Sequence, residues 1–428
     1  MSTTSFSITD YNIFKNKMLN WANRFNIFCF LDNNSYCHDA PAFECILAAG
    51  CKRSLLFESG KTFASLKEFY ETSPGWLFGH LGYGLKNEIE KLSSRHTDFI
   101  DFGTAFFFEP EIVVELKNNQ LFISSEYETA AKIFEAISLE SAEIMCQDIA
   151  VPNIQSSVSK EDYIHAINQL QQHIRRGDCY EINFCQQFFS NDVELDPLYT
   201  YSQLVTFSPN PFAALYKLND KYCICASPER YLKKTGQTIL SQPIKGTSKR
   251  NLEDSKEDEA NKNYLRSNNK ERSENVMVVD LVRNDLSRIC KEGSVYVEEL
   301  FGLYSFPQVH QMISSIKGEL SDNLHWTDAI KATFPMGSMT GAPKKRVMEL
   351  IDEYENTARG LFSGSIGYIN PAGDFDFNVV IRSIFYDAQK RNLSFSAGGG
   401  ITFNSIAEDE YKESLLKAAA ILKVLGTA

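Results

Sequence analysis

Basic residues are in short supply: Lys and Arg number 43 against 55 Asp and Glu, a formal charge of −12 with a pI near 5.2. The average surface would repel nucleic acid and anionic membrane, so neither is an expected partner, and an anionic ligand needs a local basic pocket or a metal ion. Histidines are few, seven in 428 residues, and none sits in a zinc-like cluster. The ten cysteines include no C-x-x-C pair; Cys223 and Cys225, two apart, have the spacing of strand alternation. Scattered thiols suit a reducing compartment, and a cytoplasmic location is the expectation. No apolar run approaches the roughly 18 residues that span a bilayer, and "MSTTSFSITDYNIF" lacks the basic-then-apolar order of a signal peptide. Internal repeats and low-complexity blocks are absent as well.

What is present is ample core material, 43% hydrophobic and 12% aromatic residues, enough for one large domain or two to three ordinary ones. The clearest composition shift is the polar, proline-containing segment 148–163, read as a linker between an N-terminal region, 1–150, and a region spanning 155–425. Strand-like runs are "TAFFFEPEIVVEL" (104–116), "QLFISSE" (120–126), "CYEINFCQQF", "FAALYKL", "YCICAS", "YLKKTG", "TILSQPIKG", "GSIGYIN", "FNVVIRSIFYD" and "NLSFSAGGGI". Ser159 with Asp162 marks a capped helix running to about Arg176. Further helical patterns cover 256–289, 343–355 and 408–425. Hairpin-spaced strands with segregated helices predict an α+β fold with antiparallel sheets.

Glu271 and Glu274 are three apart on one predicted helix, and Glu410 and Glu413 repeat that spacing on another, with Lys417 a turn further on. Each pair fits either a solvated acidic face or, if the pairs meet, a site for a hard cation such as Mg²⁺ shared with an anionic substrate. "FPMGSMTGAPKK" fails as a phosphate loop, but Pro343 suits a helix start whose free N–H groups attract a carboxylate. The glycines of "AGGGI" fit a bulge, a turn or a close ligand approach. Arg382, placed inside an apolar strand, requires an anionic partner from protein or ligand. Glu229 in "SPER" lies sixteen residues before Lys245 in "PIKGT", a spacing that lets a hairpin bring the two together, as a salt bridge or as more.

In family order, "GDCYEINFCQ", "SPER", "PIKGT", "ERSENVMVVDLVRNDLSRI", "FPMGSMTGAPK", "GSIGY", "VVIRS", "AGGGI" and "DEYKES" resemble the chorismate-utilising enzymes: anthranilate synthase component I, aminodeoxychorismate synthase component I, and isochorismate and salicylate synthases. The match covers about Ser159 to Ala420, with weaker echoes at "SLLFESG" (54–60) and "GHLGYGLKN" (79–87). Lys245 resembles the aminodeoxychorismate branch, where anthranilate synthases carry alanine. Glu181 stands where isochorismate and salicylate synthases carry the lysine that activates water, so that chemistry lacks its base here.

The resemblance implies two large antiparallel sheets packed together and surrounded by helices, with both regions sharing the core. It implies amination of chorismate at C4: the Lys245 amine attacks C2 as the C4 hydroxyl leaves with help from Glu229, ammonia adds at C4, and the lysine is expelled. A free lysine near pKa ~10.4 is only about 0.04% neutral at pH 7, and reaching about 7–8 takes roughly 3–4 kcal/mol. Burial is the expected source. The resemblance further puts Mg²⁺ on Glu274 and Glu413, with Glu271 and Glu410 close by or through water. The ring carboxylate would lie on that metal and on backbone at Thr340, Gly341 and Ala342. The enolpyruvyl carboxylate would meet Arg382, Tyr368, Gly399, Gly400 and Lys417. Ammonia is expected from a separate glutamine amidotransferase subunit, since no G-x-C-x-G nucleophile motif occurs; pyruvate release to 4-aminobenzoate needs another enzyme. The N-terminal region resembles one that binds tryptophan in relatives. One departure is that Gln311 holds the place of a family histidine; His310, one position earlier, would face the other way along a strand and is expected to be non-catalytic. Two alternatives stay open: anthranilate synthesis with Lys245 incidental, and a chorismate-binding protein without turnover.

Overall fold

The computed structural model describes residues 2–36, 43–55, 57, 60–145, 150–306 and 309–427. Cys37, Cys146, the first two residues of the 148–163 segment, and parts of 54–60 and of "FPQVHQMISS" lie outside the described residues. Two antiparallel sheets, of twelve and ten strands among the described residues, form the α+β core that was expected. Both sheets draw strands from either side of the 148–163 segment: Ile27–Asp32 pairs with Phe212–Leu218 in one, and Leu77–Leu81 with Ser365–Ile369 in the other.

Strand alternation explains the layering. In the larger sheet, Cys29, Leu31, Ile46 and Tyr216 point toward the second sheet and pack with Phe78, Phe107 and Phe377. Their neighbours Phe28, Phe30, Leu47 and Leu215 point outward onto the helices Tyr11–Ala22, Ala130–Leu139, Pro197–Phe207 and Ala407–Val424. A strand covered on both faces reads as a continuous apolar run, as "IFCFL" and "CILAA" do.

Several runs read as single elements are two. Residues 104–116 divide at Pro110 into Ala105–Glu109 and Ile112–Lys117, which join different sheets. "FNVVIRSIFYD" likewise divides into Phe375–Asn378 and Ser383–Asp387, so Arg382 sits in the crossover between sheets, not inside a strand. Pro243 separates Thr238–Gln242 from Ile244–Lys249. The helical stretch from 256 breaks at Asn268, whose side chain accepts from the N–H groups of Lys270 and Glu271 and caps Asn269–Ser287. The Ser159 cap is present as expected: its hydroxyl accepts from Asp162 N at 3.0 Å and opens Lys160–Arg176.

A buried ion pair fastens the strand Glu181–Ser190 to the 337–342 turn. Arg359 donates from Nε and Nη2 to the two oxygens of Glu355 at 2.9 and 2.6 Å, from Nη1 to Met339 O and from Nη2 to Asn183 O. Glu355 also accepts from Cys185 N at 2.9 Å. Replacing Arg359 by Met strands that carboxylate in the core, and urea denaturation should show a loss of about 3–5 kcal/mol.

Candidate active site

Lys245 lies at an irregularity in the pairing of Ile244–Lys249 with Val309–Glu319, between Ile244 and Thr247. Gly246 makes that irregularity possible with φ +100°, and a Cβ there would come within 3.1 Å of Glu271 Oε2 and Leu265. The result turns Lys245 inward, with 12% of its side chain exposed. Its Nζ contacts Glu181 Oε1 and lies 3.9 Å from Glu274 Oε2. A Cβ at Gly400 would overlap Nζ and stand 2.6 Å from Glu181 Oε1, so the bare backbone of "AGGGI" is where the lysine tip passes.

Burial pushes the Lys245 ammonium toward neutrality, but Glu181, Glu274 and Glu413 outweigh it and hold the group well above an ordinary lysine. The expectation that burial leaves a ready neutral amine is therefore corrected: in the unliganded protein Lys245 is a paired cation. Glu229 moves the other way. Buried at 4% exposure, its carboxyl is raised to about 7, because desolvation exceeds the opposing pull of the Ser338 hydroxyl, which lies outside hydrogen-bond geometry, and of Lys245. The hairpin spacing read from the sequence does bring acid and lysine into one electrostatic neighbourhood.

The two glutamate pairs face each other from Asn269–Ser287 and Ala407–Val424. Lys270 joins the helices, 3.4 Å from Glu410 Oε1 and 3.9 Å from Glu274 Oε1. Burial raises Glu271, and raises Glu274 to about 7; Lys417, 2.7 Å from Glu413, lowers that carboxyl despite its partial burial. A Cβ on Gly399 would sit 3.3 Å from Glu410 Oε2, 3.4 Å from Lys417 Nζ and 3.7 Å from Glu413 Oε1, so the strand Asn392–Ile401 floors this acidic cleft. Among the described residues, no three His, Cys, Asp or Glu side chains already stand as a ligand group. The donor set nonetheless fits a hard cation: all four candidates are carboxylates, and the buried Glu274 Oε1 has no hydrogen-bond partner among the described residues.

Arg382 adopts φ +54° and donates from Nη1 to Lys417 O at 2.7 Å; among the described residues its guanidinium has no carboxylate ion pair. Burial presses its charge downward, the condition in which an anionic ligand is welcome. Lys417 Nζ also donates to Gly398 O at 2.9 Å. Gly341 and Ala342 pair with Ile182 and Glu181, directly beside the Lys245 ion pair. Pro343 caps Lys344–Tyr354 and lies just before its first turn, not within it. Thr340 turns its hydroxyl back onto Met336 O, and its backbone N–H and C=O are bonded to Gly337 O and Asn183 N, so the expected backbone contact from Thr340 to the ring carboxylate is corrected.

Tyr368 does not belong to this cluster. It is buried in the other sheet against Phe43, Trp76 and Phe78 and beside Asp376, so its assignment to the enolpyruvyl carboxylate is corrected. His310 is held by Ser305 at 2.8 Å and by Asp258 at 3.1 Å, and Arg250 holds Asp258 in turn. Both ring nitrogens are engaged away from Lys245. Sequence reasoning passed over Lys270 and Ser338, and used Glu181 only to exclude water chemistry. The one available signal was a glutamate in the middle of the buried run "YEINF".

Residues 30–423 match the chorismate binding enzyme family. The chain belongs to that family. It is 33% identical to aminodeoxychorismate synthase component 1 of Klebsiella aerogenes over 353 residues, covering 82% of this chain and 77% of that protein. It is 36% identical to the chloroplastic aminodeoxychorismate synthase of Arabidopsis thaliana over 369 residues, 81% of this chain but only 40% of that longer protein. Anthranilate synthase component I of Streptococcus pneumoniae TIGR4 superposes with a TM-score of 0.78 at 26% identity, covering 89% of this chain and 91% of that one. The isochorismate synthase MenF of Escherichia coli, at 15% identity and a TM-score of 0.76, shares the fold.

In this chorismate-binding enzyme two of the three glycines, Gly398 and Gly400, should respond differently to alanine. At Gly398 a Cβ overlaps Phe184 O in the neighbouring strand, so Gly398→Ala should cost about 1–3 kcal/mol of stability. At Gly400 the nearest atoms a Cβ meets are the side-chain ends of Lys245 and Glu181, not backbone, so Gly400→Ala should cost less stability than Gly398→Ala and lose turnover. Calorimetry beside a chorismate-consumption assay separates the two.

Proposed function

We propose that this enzyme aminates chorismate at C4 to give 4-amino-4-deoxychorismate, the precursor of 4-aminobenzoate and folate. One observation carries the reading: the Lys245 amine is held against Glu181, between Glu229 raised to about 7 and a floor of glycine backbone. The relatives called aminodeoxychorismate synthase component 1 support it.

Arg382 and Lys417, with backbone at Gly399 and Gly400, form the cationic end suited to the enolpyruvyl carboxylate. Mg²⁺ held by Glu274 and Glu413, with Glu271 and Glu410 near, would neutralise the ring carboxylate and withdraw electrons from the ring. Lys245 must shed a proton before it attacks, and Glu181 Oε1 is the oxygen already in contact with it. The neutral amine forms the C2–N bond, the ring double bonds shift, and the C4–O bond breaks as Glu229 supplies the proton that makes the leaving group water. Ammonia forms the C4–N bond, and the double bonds return as the C2–N bond breaks. The new ammonium gives a proton to Glu229, and Lys245 recovers its own from Glu181. Chorismate and ammonia thus become product and water, with every side chain restored.

The "component 1" relatives suit a two-component enzyme in which a separate glutamine amidotransferase supplies the ammonia, and another enzyme would then remove pyruvate. No helix among the described residues is long and apolar enough to cross a membrane, and a cytoplasmic location fits the free thiols. A pocket between the sheets, lined by Leu31, Asn33, Phe43, Phe212, Arg230 and Phe306, is where an aromatic amino acid such as tryptophan would lie.

The second reading, anthranilate synthesis, is favoured by the likeness to anthranilate synthase component I. Incubation with chorismate, Mg²⁺ and ammonium separates them. The wild type should give a 4-amino product by chromatography and mass spectrometry, and Lys245→Ala should give none. An anthranilate product undiminished in Lys245→Ala overturns the C4 reading. Glu229→Gln should lower kcat by about 10²–10⁴-fold.

The pH profile carries an independent prediction. Glu229 acts as an acid, so its raised carboxyl is competent below about 7 and loses its proton above. The kcat/KM of wild type should fall as pH rises through that value, by tenfold per unit at the limit, and the remaining activity of Glu229→Gln should lack that limb.

A further inference from the structure

Glu181 is the most deeply buried carboxylate at the site, 2% exposed, on a strand whose other buried polar residues, Asn183, Gln186 and Gln187 among them, are all uncharged. Its two oxygens differ. Oε1 holds Lys245 Nζ, whereas Oε2 is buried with no hydrogen-bond partner among the described residues. A buried acceptor left unpaired costs more than the bond it forgoes gains, so such an atom is uncommon without a ligand to receive. Lys245 alone would be satisfied by one oxygen. The chain packs bare backbone tightly against this residue: at Gly400 a Cβ would come within 2.6 Å of Oε1, and at Gly341 it would overlap the Glu181 backbone carbonyl. What can enter there is small and donates hydrogen bonds.

We infer that Glu181 Oε2 is the docking point of the nitrogen nucleophile, ammonia. This rests on the proposed amination and adds a binding site for its second substrate. Ammonia has three N–H donors and one lone pair. One N–H given to Oε2 leaves the lone pair free for the ring, and it places the nucleophile next to the lysine whose departure its attack completes. In that step the ammonia lone pair becomes the C4–N bond, the C2–N bond to Lys245 breaks, and no proton need pass through Oε2. One carboxylate thus serves two nitrogens, holding the covalent one through Oε1 and the incoming one through Oε2.

The test uses the full chain with chorismate, Mg²⁺ and ammonium chloride as the probe. Initial rates are measured against ammonium at saturating chorismate, and against chorismate at saturating ammonium, for wild type, Glu181→Gln and Glu181→Met. The Lys245 adduct is sought by intact-protein mass spectrometry with ammonium withheld, and thermal unfolding checks folding. Glu181→Met should raise the half-saturating ammonium concentration by about tenfold or more, the scale of one lost hydrogen bond to a charged group. Its half-saturating chorismate concentration should hold within about twofold, while the adduct should form more slowly because the acceptor of the Lys245 proton is gone. Glu181→Gln keeps one carbonyl oxygen and should lie between the two. Unchanged ammonium saturation in Glu181→Met would mean that Glu181 only positions Lys245 and takes its proton, and overturns the docking site. An anthranilate product in wild type sinks the C4 reading instead and leaves ammonium saturation to decide this one; no nitrogen-containing product at all sinks both.

Discussion

Much of this molecule answers to one requirement, that a lysine ammonium be kept out of water. An unpaired cation at that depth would cost several kcal/mol, so the fold surrounds Lys245 with acids: Glu181 in contact, Glu274 at 3.9 Å and Glu413 further off. Each acid comes from a different element, which commits a strand and two helices to meet at one point. The same requirement removes side chains from Gly246 and Gly400, where any Cβ would crowd the lysine or the glutamates beside it. Burial that stabilises the neutral form of Glu229 is thereby combined, a few residues away, with pairing that stabilises the charged form of Lys245. Opposite protonation tendencies within one water-poor site are what a proton-transfer reaction near neutral pH uses.

The sheets give that site its rigidity. Strands covered on both faces cannot slip register without turning their side chains into the wrong layer. The chain crosses between sheets several times, residues 110–111 and 379–382 among the crossing points, and the crossover at 379–382 leaves Arg382 in a left-handed conformation facing the Ala407–Val424 helix. A guanidinium without a carboxylate partner among the described residues, placed at a crossover, is an unfavourable feature for folding and a favourable one for binding an anion. The Arg359–Glu355 pair does the complementary work, fixing the glycine-containing turn to the strand that carries Glu181.

Local pattern was legible where local physics decides. The Ser159 cap, the glutamate pairs at helical spacing and the alternating strands all follow from neighbours within a few residues. So does the α+β class, whereas the roles given to Lys245 and Glu229 came from the family resemblance. Element boundaries failed where a proline or a sheet crossover interrupts an apolar run, because a run buried in one sheet has the same composition as a run buried in two. Tyr368 failed for a related reason: adjacency to "GSIG" said nothing about which layer its ring would enter, and it enters the aromatic core.

Sequence alone determined which groups exist, how they are spaced, and that the chain belongs with enzymes that handle chorismate. The tertiary structure decided their charge states and their partners. Burial alone would have made Lys245 a neutral amine. It became a paired cation because three glutamates distant in the chain converge on it, and the sum of desolvation and Coulomb terms at a point is a property of three-dimensional distances. For the same reason only the fold could distinguish the two oxygens of Glu181, one held by lysine and the other without a hydrogen-bond partner among the described residues.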